Sequence, residues 1–208
     1  MQQHTDIRQK EEEKMEDISK TTNKELMTMA RESLTGAWGL AIGASIICYI
    51  ILNVPGRIDG YLGLVTCIIA GPMSLGMTIF FLSISREQNP EISQLFDGFK
   101  NFGTSIAAYY LMILFLCLWY FLLIIPGIIA SLSYSMTWYI IADDDSIGPL
   151  EAIRKSKEIM KGNKIKLFCL QCRFIGWLIL CLFTLGIGFL WIWPYANVSI
   201  AKFYDDIK

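Results

Sequence analysis

The pattern of apolar and polar positions predicts helices that are long enough to cross a membrane. Residues 103–142 are forty consecutive positions without Asp, Glu, Lys or Arg, and Ile125, Pro126 and Gly127 lie near their centre. A membrane helix needs about 20 apolar residues to cross a hydrocarbon core roughly 30 Å thick. Because Pro and Gly interrupt helices, we expect two crossings here, joined by a very short turn at Pro126-Gly127.

The same arrangement recurs before and after this segment, with a period of about 60 residues. Each unit has a short surface helix, an apolar run, a turn rich in Pro or Gly, and a second apolar run. The sequence therefore predicts an all-α polytopic membrane protein, with six transmembrane helices in three helical hairpins that each follow a short amphipathic surface helix. The predicted transmembrane helices are residues 37–54, 61–85, 103–123, 127–142, 165–183 and 189–204.

Polar segments indicate the remaining organisation. Residues 1–21 carry charges of both signs and few aromatic residues, which predicts a disordered cytosolic tail. Residues 22–208 are expected to form a single membrane domain. Thr22 and Glu25 have the spacing of a capping box, which predicts the start of a helix. Asn89-Pro90 predicts the start of a short amphipathic helix at the membrane surface.

Small residues at four-residue spacing predict close contacts between helices. Gly39 and Gly43 have this spacing in the first apolar run, and Gly63, Cys67 and Gly71 have it in the second. We expect another backbone to approach each of these two surfaces.

Basic residues predict the orientation in the membrane, because Lys and Arg favour cytosolic segments. Of 18 Lys and Arg residues, sixteen precede the first run, lie in the segments 86–100 and 143–166, or lie at the C-terminal end (Lys202 and Lys208). The three turns on the opposite side of the membrane contain one basic residue, Arg57. Both termini are therefore expected in the cytosol. The net charge of −1 gives no global field for nucleic acid, so we expect no nucleic-acid partner.

Arg173 is the only charged residue deep inside an apolar run. A charge at this depth is costly and is often functional. It follows Lys164 by nine positions, about 13 Å along a helix, so its side chain could also extend to the cytosolic headgroups. Ligand binding and a snorkelling or ion-paired structural role both remain open, and the second is favoured.

A basic stripe follows the fourth apolar run and would attract anionic lipid. The stripe also agrees with the rule that Lys and Arg favour cytosolic segments. Lipid attraction and a role in orientation can both hold. Together with Arg173, the candidate ligand or lipid contacts are Arg154, Lys157, Lys161 and Lys164.

The sequence contains little that indicates catalysis or a cofactor. His4 is the only histidine, and there is no nucleotide-binding glycine loop. Cys169 and Cys172 have a metal or redox spacing, but no second Cys pair exists. Residues 143–145 are three aspartates that could hold a divalent cation or favour the start of the next helix through its dipole; the second interpretation is favoured. We expect no enzyme activity, no cofactor and no metal.

Seven segments of the second half of the chain form a further pattern: Ile125-Pro126-Gly127-Ile128-Ile129, Tyr134 to Asp143, Glu151 to Ser156, Met160 to Lys164, Phe174 to Trp177, Leu185 to Gly188 and Trp193-Pro194-Tyr195. Together these segments resemble a known bacterial family of integral membrane proteins called domain of unknown function 975. The resemblance covers roughly Leu34 to the C-terminus and is most specific over 124–204. It implies a multi-pass protein of a bacterial cytoplasmic membrane and implies no activity or catalytic residue.

Two functions agree with these observations. The first is a non-enzymatic membrane protein that binds lipid, a protein partner or a second copy of itself at the cytosolic face. The alternative is a transporter or export component for a small solute or lipid, which should have a continuous polar cavity. The candidate lining residues of such a cavity are Asn53, Thr78, Ser131, Ser135, Asn197 and Arg173.

Overall fold

The computed structural model describes residues 21–58, 60–182, 186 and 188–208, and every regular element in them is a helix. The predicted tail lies outside these residues except for Thr21, and the third predicted turn lies partly outside them. The α-helices are α1 Asn23–Ser33, α2 Trp38–Asn53, α3 Pro55–Ile58, α4 Gly60–Ser85, α5 Phe102–Leu122, α6 Ile124–Tyr134, α7 Thr137–Asp143, α8 Pro149–Ile159, α9 Lys164–Leu182 and α10 Phe189–Ile207, with a 3-10 helix at Ile92–Phe99.

Four helical segments in the described part of the chain are long and apolar enough to cross a membrane. Helices α9 and α10 are not among them; each has 19 residues, three of them charged. The crossing number of six is therefore not established by the described residues. The four segments are Trp38–Ile58, Tyr61–Ser85, Phe102–Leu122 and Ile124–Asp143.

The four apolar segments differ in how deeply they are buried within the protein. About half of the apolar window is buried in Tyr61–Ser85 (56%) and Ile124–Asp143 (50%), but only 17% in Trp38–Ile58 and in Phe102–Leu122. Large side chains such as Phe121 consequently remain exposed. Water penalises exposed apolar area by about 25 cal/mol per Å², so these outer surfaces are compatible with a lipid environment.

The break between α5 and α6 lies three residues before the predicted turn. Leu123 has an extended backbone, with φ −165° and ψ 146°, and separates the two helices. Pro126 lies in the first turn of α6, where a missing amide hydrogen costs no helical hydrogen bond. The expectation that the chain turns at Pro126-Gly127 was wrong. Gly127 instead lets the Tyr120 ring approach, because an added Cβ would lie 2.5 Å from that ring.

The predicted helix after Asn89-Pro90 is a 3-10 helix that begins at Ile92. Its Gly98 packs against α4 so closely that an added Cβ would lie 2.0 Å from the carbonyl oxygen of Pro72. On the facing side, a Cβ at Gly76 would lie 1.9 Å from the carbonyl oxygen of Leu95. The two glycines therefore allow the 3-10 helix to contact the backbone of α4 directly.

The two predicted small-residue surfaces have different outcomes. An added Cβ at Gly71 would lie 2.7 Å from the Ser105 carbonyl oxygen, so α5 approaches α4 there as expected. No atom of the described residues lies within 4 Å of a Cβ at Gly39 or Gly43. The expected close approach to Gly39 and Gly43 was wrong, because α2 turns this surface away from its neighbours.

Helix α1 begins with the predicted capping box. The Thr22 hydroxyl accepts a hydrogen bond from the Glu25 amide, and the Glu25 carboxylate accepts one from the Thr22 amide. Leu26 and Ala30 then lie buried on one side. These contacts attach the polar N-terminal helix to the apolar bundle.

Candidate functional site

Three charged side chains meet where α4, α7 and α10 end. Arg86 follows the last residue of α4, Asp143 ends α7, and Asp205 lies in the last turn of α10. Nη1 of Arg86 donates to Oδ1 of Asp143 at 2.6 Å, and Nη2 donates to Oδ1 of Asp205 at 2.7 Å. The hydrogen bond to Asp143 raises the pKa of Arg86, and this effect outweighs burial, which lowers it. We call these three residues the charged junction.

Further contacts strengthen the charged junction. The Tyr204 hydroxyl donates to Oδ2 of Asp143 at 2.9 Å, and the Lys208 ammonium pairs with the same oxygen. The Lys202 ammonium donates to the carbonyl oxygen of Ser85 at the end of α4. Every carboxylate oxygen of Asp143 thus has a partner within the chain. The arrangement holds three helix ends together.

Sequence reasoning missed the charged junction, although a signal for it exists. Arg86, Asp143 and Asp205 are each the first charged residue after the second apolar run of a predicted unit. Opposite charges at equivalent positions of a repeat could have indicated that the three ends meet.

The three clustered aspartates have separate partners. Asp144 accepts hydrogen bonds from the amide and the hydroxyl of Ser146, at 3.0 and 2.6 Å, and these bonds lower its pKa. Asp145 accepts one from Asn101 at 2.7 Å. No group of metal-ligating side chains converges within the described ranges. The interpretation that these aspartates favour the start of the next helix was wrong, because α8 begins at Pro149 with Gly148 as its N-cap, beyond all three of them.

The basic stripe lies on and after α8. Arg154, Lys157 and Lys161 are exposed. The opposite side of α8 is buried, including Ser156, whose hydroxyl donates to the Ser133 carbonyl oxygen at 2.8 Å. The same hydroxyl accepts from the Met136 amide at 3.2 Å, so α8 fills the interruption between α6 and α7. The exposed cations are therefore held on a helix that is firmly attached to the apolar bundle.

Two further basic residues lie on α9: Lys164, which belongs to the candidate set, and Lys166, which does not. Lys164 is the first residue of α9 and is partly exposed. Lys166 forms an ion pair with Asp206 at 3.5 Å, which joins the start of α9 to the end of α10. Lys164 can therefore face a ligand, while Lys166 has a structural contact.

Arg173 contacts the N-terminal helix instead of the basic stripe. Its side chain is exposed, and Nη1 lies 3.9 Å from Sδ of Met27 in α1. No ion pair of Arg173 occurs among the residues that the structure describes. The predicted snorkelling position is compatible with this contact, but the described carboxylates supply no structural partner.

A cavity of about 880 Å³ lies between α2, α9 and α10, with Met77 of α4 at its inner side. Its walls are mostly apolar, and several wall residues, including Tyr49, Ile175 and Trp193, are also exposed at the protein surface. The cavity therefore opens sideways, toward the surface that the apolar helices present. We call it the lateral cavity.

The polar side chains that were expected to line a transport path bond to their own helices. Asn53, Thr78, Ser131, Ser135 and Asn197 each donate to a carbonyl oxygen three or four residues earlier, at 2.8 to 3.0 Å. Such local bonds satisfy a hydroxyl or amide without a ligand. Of these residues, only Asn53 lines the lateral cavity.

A family model described as "Protein of unknown function (DUF975)" matches residues 15–129 and 121–208. The chain belongs to this family. The two matches together cover the described helices from α1 to α10. No curated protein and no solved structure matches the chain.

Proposed function

We propose that this DUF975 protein is a non-enzymatic protein of a bacterial cytoplasmic membrane that binds anionic lipid at its cytosolic face. In this proposal six helices cross the membrane and both termini lie in the cytosol. Helices α9 and α10, with 19 residues each, are about 28 Å long and match the hydrocarbon thickness. The charged ends of α4, α7 and α10 lie together, as this topology requires.

The exposed basic side of α8 carries the functional part of the proposal. Arg154, Lys157 and Lys161 are exposed, while Ala152 and Ser156 on the other side are buried. Each Lys or Arg near an anionic surface contributes about 1 kcal/mol of attraction. Since Ser156 attaches α8 to the apolar bundle, the backbone that carries Arg154 and Lys157 needs no ordering when lipid binds.

Reporter fusions test the proposed topology. A fluorescent protein that folds only in the cytosol is placed after residue 88, residue 147 or residue 208, and between α9 and α10 after residue 186. The first three fusions should fluoresce and the fourth should not. Fluorescence of the fourth, or loss of it at residue 208, would exclude the six-crossing arrangement.

Lipid enrichment tests the proposed binding. The full chain is extracted in mild detergent, and phosphatidylglycerol binding is measured by native mass spectrometry. Replacing Arg154, Lys157 and Lys161 together by Gln should weaken binding roughly a hundredfold, from about 1 kcal/mol per charge. A variant that exchanges Lys for Arg and Arg for Lys at the same positions keeps the charge and should bind normally. Equal binding by both variants and the unmodified chain contradicts the proposal.

A further inference from the structure

We infer that the lateral cavity holds one acyl chain of a membrane phospholipid, which enters from the leaflet that faces away from the cytosol. The cavity would recognise the hydrocarbon chain and leave the headgroup outside. This inference rests on the proposed function for the topology of the chain. It concerns the opposite side of the membrane from the basic stripe on α8, and it does not depend on the charge of the headgroup.

The lateral cavity is elongated along the helices that form it. On α2 its lining runs from Ser45 to Asn53, about 12 Å, and recurs at the spacing of one helix side. On α9 the lining runs from Ile175 to Cys181, about 9 Å. The volume of about 880 Å³ lies within the range of roughly 300–1,000 Å³ that small-molecule sites have. This shape and size suit an extended hydrocarbon chain.

The cavity has a buried floor and an open rim. Cys48 and Cys181 line it and are each 7% exposed. Tyr49, Ile175 and Trp193 also line it, and these three side chains are exposed. A chain that enters sideways between the exposed side chains can therefore contact the buried floor, which the surrounding bilayer does not reach.

The walls offer little to water or to a polar solute. None of the lining residues that the structure describes is charged. The Ser45 hydroxyl donates to the carbonyl oxygen of Ala41 at 2.8 Å. The Asn53 amide donates to the carbonyl oxygen of Tyr49 at 3.0 Å. A buried water needs about two to four polar partners, and an empty cavity destabilises a protein in proportion to its volume. Hydrocarbon is therefore the occupant that fits these walls.

Aromatic contacts join the same three helices at the cytosolic end of the cavity. The ring of Tyr195 in α10 contacts those of Trp38 in α2 and Phe174 in α9, at centroid distances of 6.5 and 5.3 Å. The Tyr195 hydroxyl also donates to the carbonyl oxygen of Met27 in α1 at 3.1 Å. The described lining of α2 and α9 begins after Trp38 and Phe174, and that of α10 ends before Tyr195. These contacts therefore separate the cavity from the cytosolic side.

The other end of the cavity lies toward the far leaflet in the proposed topology. Helix α2 runs away from the cytosol and ends at Asn53, and α10 begins at Phe189 and returns. Both of these residues line the cavity. A chain that enters there would have its glycerol end near Asn53 and its methyl end near Ser45 and Ile175.

Photolabelling of the full-length protein in liposomes tests the occupant and its direction. A phospholipid carries a carbene-generating diazirine either at the end of one chain or beside the glycerol, and mass spectrometry locates the labels. The chain-end probe should label Ser45 and Cys48, and the glycerol-side probe should label Asn53. Met112 is the matched control, because it is also buried, at 9%, but lies on α5 outside the cavity lining. Equal labelling of Cys48 and Met112, or the reverse depth pattern, would overturn the inference.

Two headgroups test whether the cavity recognises the chain alone. Chain-end probes of phosphatidylglycerol and phosphatidylethanolamine with identical chains should label Cys48 equally, because the described walls carry no charge. Labelling by one headgroup and not by the other would contradict recognition through the chain.

Variants assign the labelling to the cavity. A phenyl ring at Ser45 displaces about two methylene groups of the chain, each of which contributes roughly fourfold to affinity. Ser45→Phe should therefore lower the labelling of Cys48 about tenfold or more at a subsaturating probe concentration. Ile175→Trp narrows the opposite wall and should lower it in the same way. Ile113→Phe is the control, because Ile113 is exposed on α5 outside the cavity lining, and it should leave the labelling unchanged. Unchanged labelling in both cavity variants would refute the inference.

The outcomes distinguish this inference from the proposed function. If the α8 variant loses phosphatidylglycerol and Cys48 is not labelled, the inference is wrong and the proposed function stands. If Cys48 is labelled and the α8 variant binds phosphatidylglycerol normally, the inference stands and lipid binding by α8 is wrong. If Ser45→Phe fails to fold, as judged by its thermal unfolding, Ile175→Trp and the probes on the unmodified chain still decide the question.

Discussion

Replacing Arg86 by methionine should destabilise the protein through the charged junction. Methionine keeps much of the side-chain volume and removes the charge that faces both carboxylates. The side chain of Asp143 is 13% exposed, so its charge would lose the partner that contacts both of its oxygens in a partly buried place. Removing one partner of a buried ion pair costs about 3–5 kcal/mol. Lys208 and Tyr204 still contact Asp143, so we expect about 2–3 kcal/mol.

A double-mutant cycle separates this effect from a general loss of packing. Asp143→Asn leaves Arg86 with Asp205 as its remaining carboxylate partner. Combining Arg86→Met with Asp143→Asn removes both charges of the Arg86–Asp143 pair. The double variant should therefore recover part of the stability that Arg86→Met loses. Arg86→Lys should give an intermediate value, because a lysine cannot reproduce the two-pronged contact.

Unfolding by sodium dodecyl sulfate in mixed micelles, followed by tryptophan fluorescence, measures these free energies. Arg57→Met is the control, since Arg57 is exposed on α3 and its loss should change stability by less than about 0.5 kcal/mol. The reasoning fails if Arg86→Met behaves like this control, or if the two substitutions at the charged junction are simply additive.

Three further predictions concern two glycines and one buried hydroxyl, and the same unfolding assay measures them. Gly76→Ala should destabilise by about 1–3 kcal/mol or more, because its Cβ would lie 1.9 Å from the Leu95 carbonyl oxygen. Gly39→Ala should stabilise by up to about 1 kcal/mol, since its Cβ meets no described atom and alanine favours a helix; loss of stability there would indicate an unseen neighbour. Ser156→Ala should cost about 1–3 kcal/mol, because the Met136 amide loses its partner, and a neutral result would mean that water replaces the hydroxyl.

Much of the helical structure could be predicted from the sequence, because it depends on residues that are close in the chain. The capping box of Thr22 and Glu25 requires only a three-residue spacing, and the structure confirms it. Long uncharged runs predict helices wherever their backbone must satisfy its own hydrogen bonds. Turn positions were less accurate: a proline is tolerated in the first helical turn, so Pro126 did not indicate the end of α5.

The candidate site depends mainly on contacts between distant residues. Arg86 and Asp143 are 57 positions apart, and Arg86 and Asp205 are 119 apart. Likewise, Arg173 contacts Met27 across 146 positions. Periodicity along one helix cannot show which helix faces it, so these partners were not predictable from local patterns.

The sequence by itself determined that the chain is helical, where its apolar runs lie and where its charges are concentrated, because hydropathy and helix capping act over a few neighbouring residues. Only the tertiary structure decided that Arg86 has two carboxylate partners while Arg173 has none among the described residues. It also decided that Ser156 fills the break in α6–α7 and that a cavity lies between α2, α9 and α10. These features arise from packing, which joins segments that are far apart in the chain.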